Sequence, residues 1–201
     1  MPKTLSKDDI AEFRDRLCDV AEKLFADRGL EAVTMRQLAA EMGVSPMTPY
    51  RYFKDKDAIL AAVRARAFDR HAAALEAAYS ETAGSRNVRA QALTEAYVRF
   101  ALENPEAYKL MFDIRQPTAD AYPDLVRAAA RSKNTMTLHL MERVAAGEFQ
   151  GDPELVGHMY WSAMHGPIML QLSGMLHGKL NAKLLSAAIG DAITRALFPK
   201  A

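Results

Sequence analysis

The side chains best suited to bind a polyanion lie close together between residues 47 and 56. The stretch from Val44 to Lys54 contains no aspartate or glutamate. The guanidinium of Arg51 matches the O6 and N7 acceptors of guanine, and the phenols of Tyr50 and Tyr52 can donate to phosphate oxygens. The candidates in and just before this stretch are Thr34, Arg36, Pro46, Met47, Thr48, Tyr50, Arg51, Tyr52, Lys54 and Lys56. These residue types indicate contact with DNA, in which phosphate contacts set orientation and a few base contacts set sequence.

Two short helices are predicted to position these side chains. Thr34 and Gln37 have the spacing of a capping box, which satisfies free N–H groups at a helix start, and such a start can also bind a phosphate. Apolar residues then recur with helical spacing at Met35, Leu38, Ala39 and Met42. Gly43 is expected to end this helix because glycine readily adopts a positive φ. A second helix follows after a short turn, so the sequence predicts a helix-turn-helix.

The second helix has two alternative starts. Ser45 can be its N-cap with Pro46 at the first helical position, where a missing N–H costs nothing. Pro49, however, lacks the N–H that would bond to the carbonyl of Ser45, so the helix can instead begin at Pro49 with Thr48 as its cap. The later start would leave Pro46 and Met47 in front of the helix, and their role in reading bases depends on this choice.

This segment resembles the DNA-binding region of the tetracycline-repressor (TetR) family of bacterial transcription regulators. The matching residues are Gly29-Leu30, Thr34 to Ala39, Gly43-Val44-Ser45, Tyr50 to Phe53 and Lys54 to Lys56. Pro49 departs from the family, which usually carries leucine or isoleucine there. The resemblance implies a homodimer that binds a palindromic operator, and most relatives are repressors that a small molecule releases.

The bulk composition neither favours nor excludes this interpretation. The chain has 201 residues and a formal net charge of +1, and its first 56 residues hold ten basic and ten acidic side chains. Binding must therefore depend on where the charges lie and not on their sum. Cys18 is the only cysteine, which excludes a disulfide within the chain, and the N-terminus lacks the apolar segment of a signal peptide. We expect a cytoplasmic protein.

No pattern in the sequence indicates catalysis. A glycine-rich phosphate loop, a nucleophile elbow and a Cys/His cluster are all missing, so neither an enzyme nor a bound cofactor is predicted. His158 and His165 are seven residues apart and share a helix face, but histidines packed in a helical core are more common than metal ligands, and no metal is predicted. A helical enzyme that uses His165 and an acid remains an alternative, although no acid at suitable spacing supports it.

Helical periodicity covers nearly the whole chain, and no alternating pattern of useful length indicates a strand. The expected fold class is all-α, with a helix-turn-helix domain at residues 1–54 and an effector-binding and dimerisation domain at residues 55–201. One long helix is expected from about Asp124 to Ala146. Other helix starts are marked by the capping residues Asp55, Asn104, Asp152 and Asn181.

A second informative stretch, Leu155 to Gly178, contains no charged side chain. A membrane-spanning helix needs about 20 apolar residues, but histidines, serines, glycines, Gln171 and Pro167 interrupt this stretch, so burial against protein is favoured over lipid. The last helix carries a stripe of mostly small apolar residues at Leu185, Ala188, Ile189, Ala192, Ile193 and Ala196. We expect these two helices of each chain to form a four-helix bundle in a homodimer.

The C-terminal half resembles a subtype of the same family, with a tryptophan followed by His-Gly. Its looser matches are Asn104-Pro105, Tyr108, Met111-Phe112, Gly151 to Pro153, Trp161 and His165-Gly166. The resemblance implies a helical effector-binding and dimerisation domain. Methionine and aromatic side chains adapt to apolar ligands, and the expected pocket residues are Tyr97, Phe100, Met111, Phe112, Met136, Trp161, Met164 and His165. Ordinary core packing would also explain these residues.

The sequence therefore predicts a ligand-responsive transcription regulator, most simply a repressor, whose partners are operator DNA, a second copy of the chain and a small apolar effector. Activation in place of repression is compatible with the same residues. The main alternative is a small-molecule-binding protein that has lost its affinity for DNA, which the proline at position 49 would explain.

Overall fold

The computed structural model describes residues 6–113 and 121–198, and the regular elements in these ranges are all helical. They are α1 (Lys7–Arg28), α2 (Met35–Glu41), a 3-10 helix (Pro49–Arg51), α3 (Lys56–Glu81), α4 (Arg86–Glu103), α5 (Pro105–Met111), α6 (Pro123–Thr135), α7 (Leu138–Ala145), α8 (Pro153–Leu172) and α9 (Ala182–Leu197). The predicted all-α class is confirmed.

The described residues form two compact units. The first contains those up to Phe68 and those between Glu106 and Ala128, and the second contains those from Asp69 to Pro105 and from Ala129 onward. Helix α3 contributes to both units. The functional boundary expected after residue 54 separates the helix-turn-helix from α3, and it stays a prediction.

A hydrophobic core holds α1, α2 and the first part of α3 together in the first unit. Leu17, Leu38 and Ile59 are fully buried in it, and Phe53 is nearly so. Arg64 of α3 is also buried, and its guanidinium donates to the carbonyl oxygens of Leu110 at 3.0 Å and Met111 at 3.1 Å. This side chain therefore satisfies backbone carbonyls at the end of α5 that the helix itself leaves unpaired.

In the second unit, α8 and α9 pack along each other and both contact α4. The hydroxyls of Tyr160 and Thr194 are 2.8 Å apart, which ties α8 to α9. The amide oxygen of Gln171 accepts from the backbone N–H of Ala182 at 2.6 Å, and Asn181 caps α9 as the sequence predicts. None of the described helices is long and apolar enough to cross a membrane.

The long helix expected from Asp124 to Ala146 is wrong, because the structure divides it into α6 and α7. The break falls at Met136 and Thr137, whose N–H groups bond three residues back instead of four. The hydroxyls of Thr135 and Thr137 donate to carbonyls three residues earlier, at 2.6 and 3.0 Å. Hydroxyl side chains that bond to nearby backbone in this way compete with the regular helix, which accounts for the break.

Candidate nucleic-acid interface and ligand cavity

The first helix of the helix-turn-helix has the ends that the sequence predicts. The hydroxyl of Thr34 accepts from the N–H of Gln37 at 3.3 Å, and the side chain of Gln37 accepts from the N–H of Thr34 at 2.8 Å. At the other end Gly43 has a φ of 67°, and its N–H and that of Val44 bond to the carbonyls of Ala40 and Ala39. These two bonds form a Schellman motif, which turns the chain sharply toward the next element.

The element after this turn is one turn of 3-10 helix and not an α-helix. An α-helix that starts at Pro46 is wrong, and the later start with Pro49 as the first residue is confirmed. Thr48 precedes this residue, but its side chain makes no capping bond, so its expected role as a cap is wrong. The N–H groups of Thr48 and Arg51 bond three residues back, to the carbonyls of Ser45 and Thr48. Proline offers no N–H for a bond to the carbonyl of Ser45, so the ladder of a regular α-helix cannot form across position 49.

Most of the side chains proposed to contact DNA are free to do so. Those that the structure exposes are Thr34, Arg36, Pro46, Met47, Tyr50, Arg51 and Lys54, whereas Thr48, Tyr52 and Lys56 are half-buried. Within the described part of the chain, the side chains of Arg36, Tyr50, Arg51 and Lys54 make no hydrogen bond or ion pair. Their donors are available to phosphates or base edges, and their individual roles stay predictions.

Two of the candidates also support the fold. The ring of Tyr52 stacks on that of Phe13 with 4.1 Å between centroids, and its carbonyl accepts from Arg14 at 2.6 Å. The ammonium of Lys56 donates to the carbonyl of Leu30 at 2.7 Å. Tyr52 is thus the tyrosine of the pair that packs inward, whereas about half of Tyr50 is exposed to solvent.

The predicted ligand residues fall into separate groups. Trp161 donates to the hydroxyl of Tyr97 at 2.8 Å, and Tyr97 and Phe100 both meet the ring of His71 edge-on, at 4.8 and 5.0 Å. His165 lies next to Trp161, with 6.2 Å between ring centroids.

Met111 and Phe112 belong to the first unit, where Phe112 packs against Phe68 and Tyr108. The other candidates lie in the second unit.

His71 is the buried polar residue at the centre of the aromatic group in the second unit. Its Nδ1 is 2.8 Å from the hydroxyl of Ser132, and burial lowers the pKa of the imidazole to about 4. The ring is therefore neutral near pH 7. The sequence alone did not single out this histidine, although its position in α3 at helical spacing from Phe68 and Leu75 agrees with an inward side chain.

A cavity of about 620 Å³ lies in the second unit between α4, α7, α8 and α9. Of the predicted ligand residues, Met136 and Met164 line it, together with Leu93 and Val98 of α4. The α9 wall consists of Lys183, Ser186, Ala187, Gly190, Asp191 and Thr194. This spacing places them on one face of the helix. His139 and Arg143 of α7 also line the cavity, and neither was predicted from the sequence.

Comparisons with known proteins agree with this architecture. Residues 17–63 match the family model described as bacterial regulatory proteins of the tetR family, and residues 90–192 match the tetracyclin repressor-like C-terminal domain. Among the residues that the structure describes, no group of three His, Cys, Asp or Glu side chains could hold a metal ion.

Similar proteins come from several bacteria. A protein of unknown function from Rhodococcus sp. RHA1 is 31% identical, with 98% of this chain and 99% of that chain covered and a TM-score of 0.81. The TetR family transcriptional regulator PfmR of Thermus thermophilus is 24% identical over 90% of this chain and 98% of that one, with a TM-score of 0.68.

A curated HTH-type transcriptional regulator of Staphylococcus aureus strain USA300 is 44% identical over 48 residues, which is 24% of this chain and 26% of that protein. The match to this relative thus spans about a quarter of its length.

The subtype expected from Trp161 and His165-Gly166 stays a prediction. The two family models together cover most of the chain, and the chain belongs to the TetR family of DNA-binding transcriptional regulators.

Proposed function

We propose that the chain is a repressor that binds a palindromic operator as a homodimer and leaves it when a small, mainly apolar molecule binds. The observation that carries the DNA part of the proposal is the exposed 3-10 turn with Tyr50 and Arg51. Both side chains lack partners among the described residues, and no acid lies between Val44 and Lys54. The guanidinium of Arg51 can form two hydrogen bonds to a guanine edge, and Lys54 can contact the DNA backbone beside it.

A face of α8 that is uncovered within the chain supports the homodimer. Leu155, Met159, Ser162, Gly166 and Met169 recur on one side of the helix, and all are exposed. Leu155 is 61% exposed, although it begins a long stretch without charged side chains. An apolar patch of this kind on a helix marks an interaction surface.

The neighbouring helix α9 offers a second uncovered strip. Ala188, Ala192 and Ala196 are exposed, so the described residues leave uncovered the small side chains that would allow another helix to approach closely. A second copy of the chain would cover the exposed faces of both α8 and α9. These two helices from each chain would then form a four-helix bundle and bury the same patch on each side.

A ligand in the second unit can release the protein from DNA if the two units are coupled. The cavity of about 620 Å³ has the size of typical small-molecule pockets, which hold about 300–1,000 Å³. Helix α3 contributes residues to both units, so an effector that favours one setting of this helix would change the spacing of the two DNA-binding heads. The heads must match half-sites roughly 34 Å apart, and a mismatch lowers affinity.

Selection of bound sequences from a random DNA pool tests this proposal. The enriched sequences should contain a palindrome whose half-sites are about one helical turn apart. The Arg51→Ala variant, run in parallel, should enrich a less defined sequence. Enrichment of a single, non-repeated site would contradict the homodimer, and no enrichment over the starting pool would contradict specific DNA binding.

One observation favours a second candidate function, a small-molecule-binding protein that has lost DNA affinity. The recognition element is shortened to Pro49–Arg51, so fewer side chains than in a full recognition helix are held in regular positions. Retention on DNA as a function of salt separates the two candidates. A regulator should show affinity that falls steeply with salt concentration, because binding releases counterions from the phosphates. A protein that has lost DNA binding should show no retention even at low salt.

A further inference from the structure

Three residues that line the second-unit cavity each have a buried polar atom with no hydrogen-bond partner among the described residues. These atoms are Nδ1 of His139, Nε of Arg143 and the hydroxyl oxygen of Ser186. Ser186 is 1% exposed and His139 is 6% exposed. A buried polar group without a partner destabilises a protein, and most such groups in native structures are paired. Three of them around one cavity indicate that a partner is supplied from outside the chain.

The charged side chains beside the cavity indicate that this partner is negatively charged. Arg86 is 3.6 Å from Glu142 and 2.5 Å from Glu148, Arg89 is 2.6 Å from Glu142, and Arg143 is 3.5 Å from Glu148. Three guanidinium groups therefore share two carboxylates, which leaves one positive charge. Of the three, Arg143 lines the cavity.

The other charged side chains in the wall balance one another in number. Arg99 and Lys183 are cationic, and Glu95 and Asp191 are anionic. All four are exposed, so solvent screens them more strongly than it screens the mostly buried Arg143. The buried part of the wall therefore carries one uncompensated positive charge, which favours an anionic ligand.

The remaining polar atoms set the hydrogen-bond pattern. The Nε–H of Arg143 can only donate, whereas the hydroxyl of Ser186 can donate or accept. Burial, assisted by the charge of Arg143, lowers the pKa of His139 to about 4, so its ring is neutral near pH 7 and Nδ1 can also donate in one tautomer. An acceptor with more than one oxygen atom would satisfy such a wall.

The rest of the wall is apolar. Leu93, Val98, Met136 and Met164 line the same cavity, and all four are buried. Methionine side chains accommodate varied apolar shapes. A ligand that fills the cavity therefore needs an apolar body next to its acceptor group.

We propose that this cavity takes a small apolar molecule that ends in a carboxylate, whose oxygens accept from Nε–H of Arg143 and from the hydroxyl of Ser186. The inference deepens the proposed function and rests on it only for the claim that this ligand is the effector. Binding itself is independent of DNA.

The test compares three probes that share an eight-carbon chain, namely octanoate, octan-1-ol and protonated octylamine. Isothermal titration calorimetry on the full-length protein should give the tightest binding for octanoate and the weakest for octylamine. Octanoate is expected to bind about tenfold or more tightly than octan-1-ol, because hydrogen bonds to charged groups contribute more than neutral ones. Equal binding of acid and alcohol, preference for the amine, or no binding of octanoate would overturn the inference.

The Ser186→Ala variant gives a second readout with an unusual sign. It should weaken octanoate binding about tenfold while raising the melting temperature of the ligand-free protein by a few degrees, because an unpaired buried hydroxyl is removed. Ser80→Ala, at an exposed serine in α3, is the matched control and should change neither quantity. Arg143→Gln should also weaken octanoate, and circular dichroism of each variant shows whether its fold is retained.

Octanoate affinity unchanged in Ser186→Ala would place the ligand elsewhere and overturn the assignment. DNA affinity of the ligand-free protein is measured separately on a fragment selected as described above. Intact sequence-specific DNA binding together with failed octanoate binding would reject this inference and leave the proposed function standing. Loss of specific DNA binding with octanoate bound as expected would reject the proposed function alone.

Discussion

Lowering the pH from 7 to 5 should destabilise the protein through two buried histidines, His71 and His139. Burial lowers the pKa of each to about 4, against an ordinary value of 6.5. The unfolded chain therefore takes up a proton on each histidine as the pH falls below about 6.5, whereas the folded chain does not until about pH 4. Because the folded-state pKa values lie below the unfolded ones, stability is complete above pH 6.5 and decreases as the pH falls toward 4.

The size of the effect follows from the shift. One pKa unit corresponds to about 1.4 kcal/mol, so a pH about 1.5 units below the unfolded-state value costs roughly 2 kcal/mol for each histidine at pH 5. The two together would remove roughly 4 kcal/mol, which is a large part of a typical free energy of unfolding of about 5–15 kcal/mol. Carboxylates held below their ordinary pKa, such as Glu154 beside Lys133, remain ionised at pH 5 and do not contribute there.

Urea unfolding followed by circular dichroism at pH 7 and pH 5 measures this loss. The double variant His71→Gln, His139→Gln should be less stable at pH 7 but should lose much less further stability at pH 5 than the parent, because glutamine does not titrate. Burial also lowers the pKa of His165, so this histidine retains part of the pH dependence. His177→Gln, at an exposed histidine, is the control and should keep the pH dependence of the parent. If the parent and the double variant lose the same free energy between the two pH values, the assignment to His71 and His139 is refuted.

Three further predictions concern DNA binding, helix capping and assembly. Arg51→Ala should relax sequence preference and cost about 1–3 kcal/mol of specific binding, and equal weakening on specific and random DNA in an anisotropy titration would show contact with phosphate alone. Thr34→Ala should lower the free energy of unfolding of the protein by about 1 kcal/mol through loss of the capping box, and an unchanged urea midpoint would contradict the role of the cap. Ala192→Arg should leave the chain folded, because position 192 is exposed within it, but should give monomers in sedimentation, since an unpaired charge buried at an interface is strongly unfavourable; a dimer as tight as the parent would place the interface elsewhere.

Local signals in the sequence predicted the ends of helices well. The caps at Thr34, Asp152 and Asn181 all form their side-chain bonds to backbone N–H groups. A cap depends on residues two or three positions apart, so no knowledge of the fold is needed to recognise it. The late start at Pro49 was foreseeable for the same reason, since a missing N–H has a strictly local effect.

Features that depend on competing or distant interactions were harder to predict. The break between α6 and α7 depends on the hydroxyls of Thr135 and Thr137, which bond to nearby backbone in competition with the helix, whereas the apolar periodicity continues through it. The cavity forms only where α4, α7, α8 and α9 pack side by side. The sequence of α9 alone therefore does not show that its face with Ser186 lines a cavity. Aromatic and methionine content alone pointed to Tyr97 and Trp161, which bond to each other.

We propose that the exposed turn at Tyr50 and Arg51 gives sequence-specific DNA binding. The most direct measurement is a mobility-shift titration at physiological salt on DNA that flanks the gene of this chain, since regulators of this kind often lie beside their targets, with a shuffled fragment of equal length and composition as competitor. We predict a complex with two protomers that withstands an excess of the shuffled fragment, whereas the complex of Arg51→Ala is weaker and is displaced by this excess. A complex that the shuffled fragment displaces as readily as the native fragment would contradict the claim.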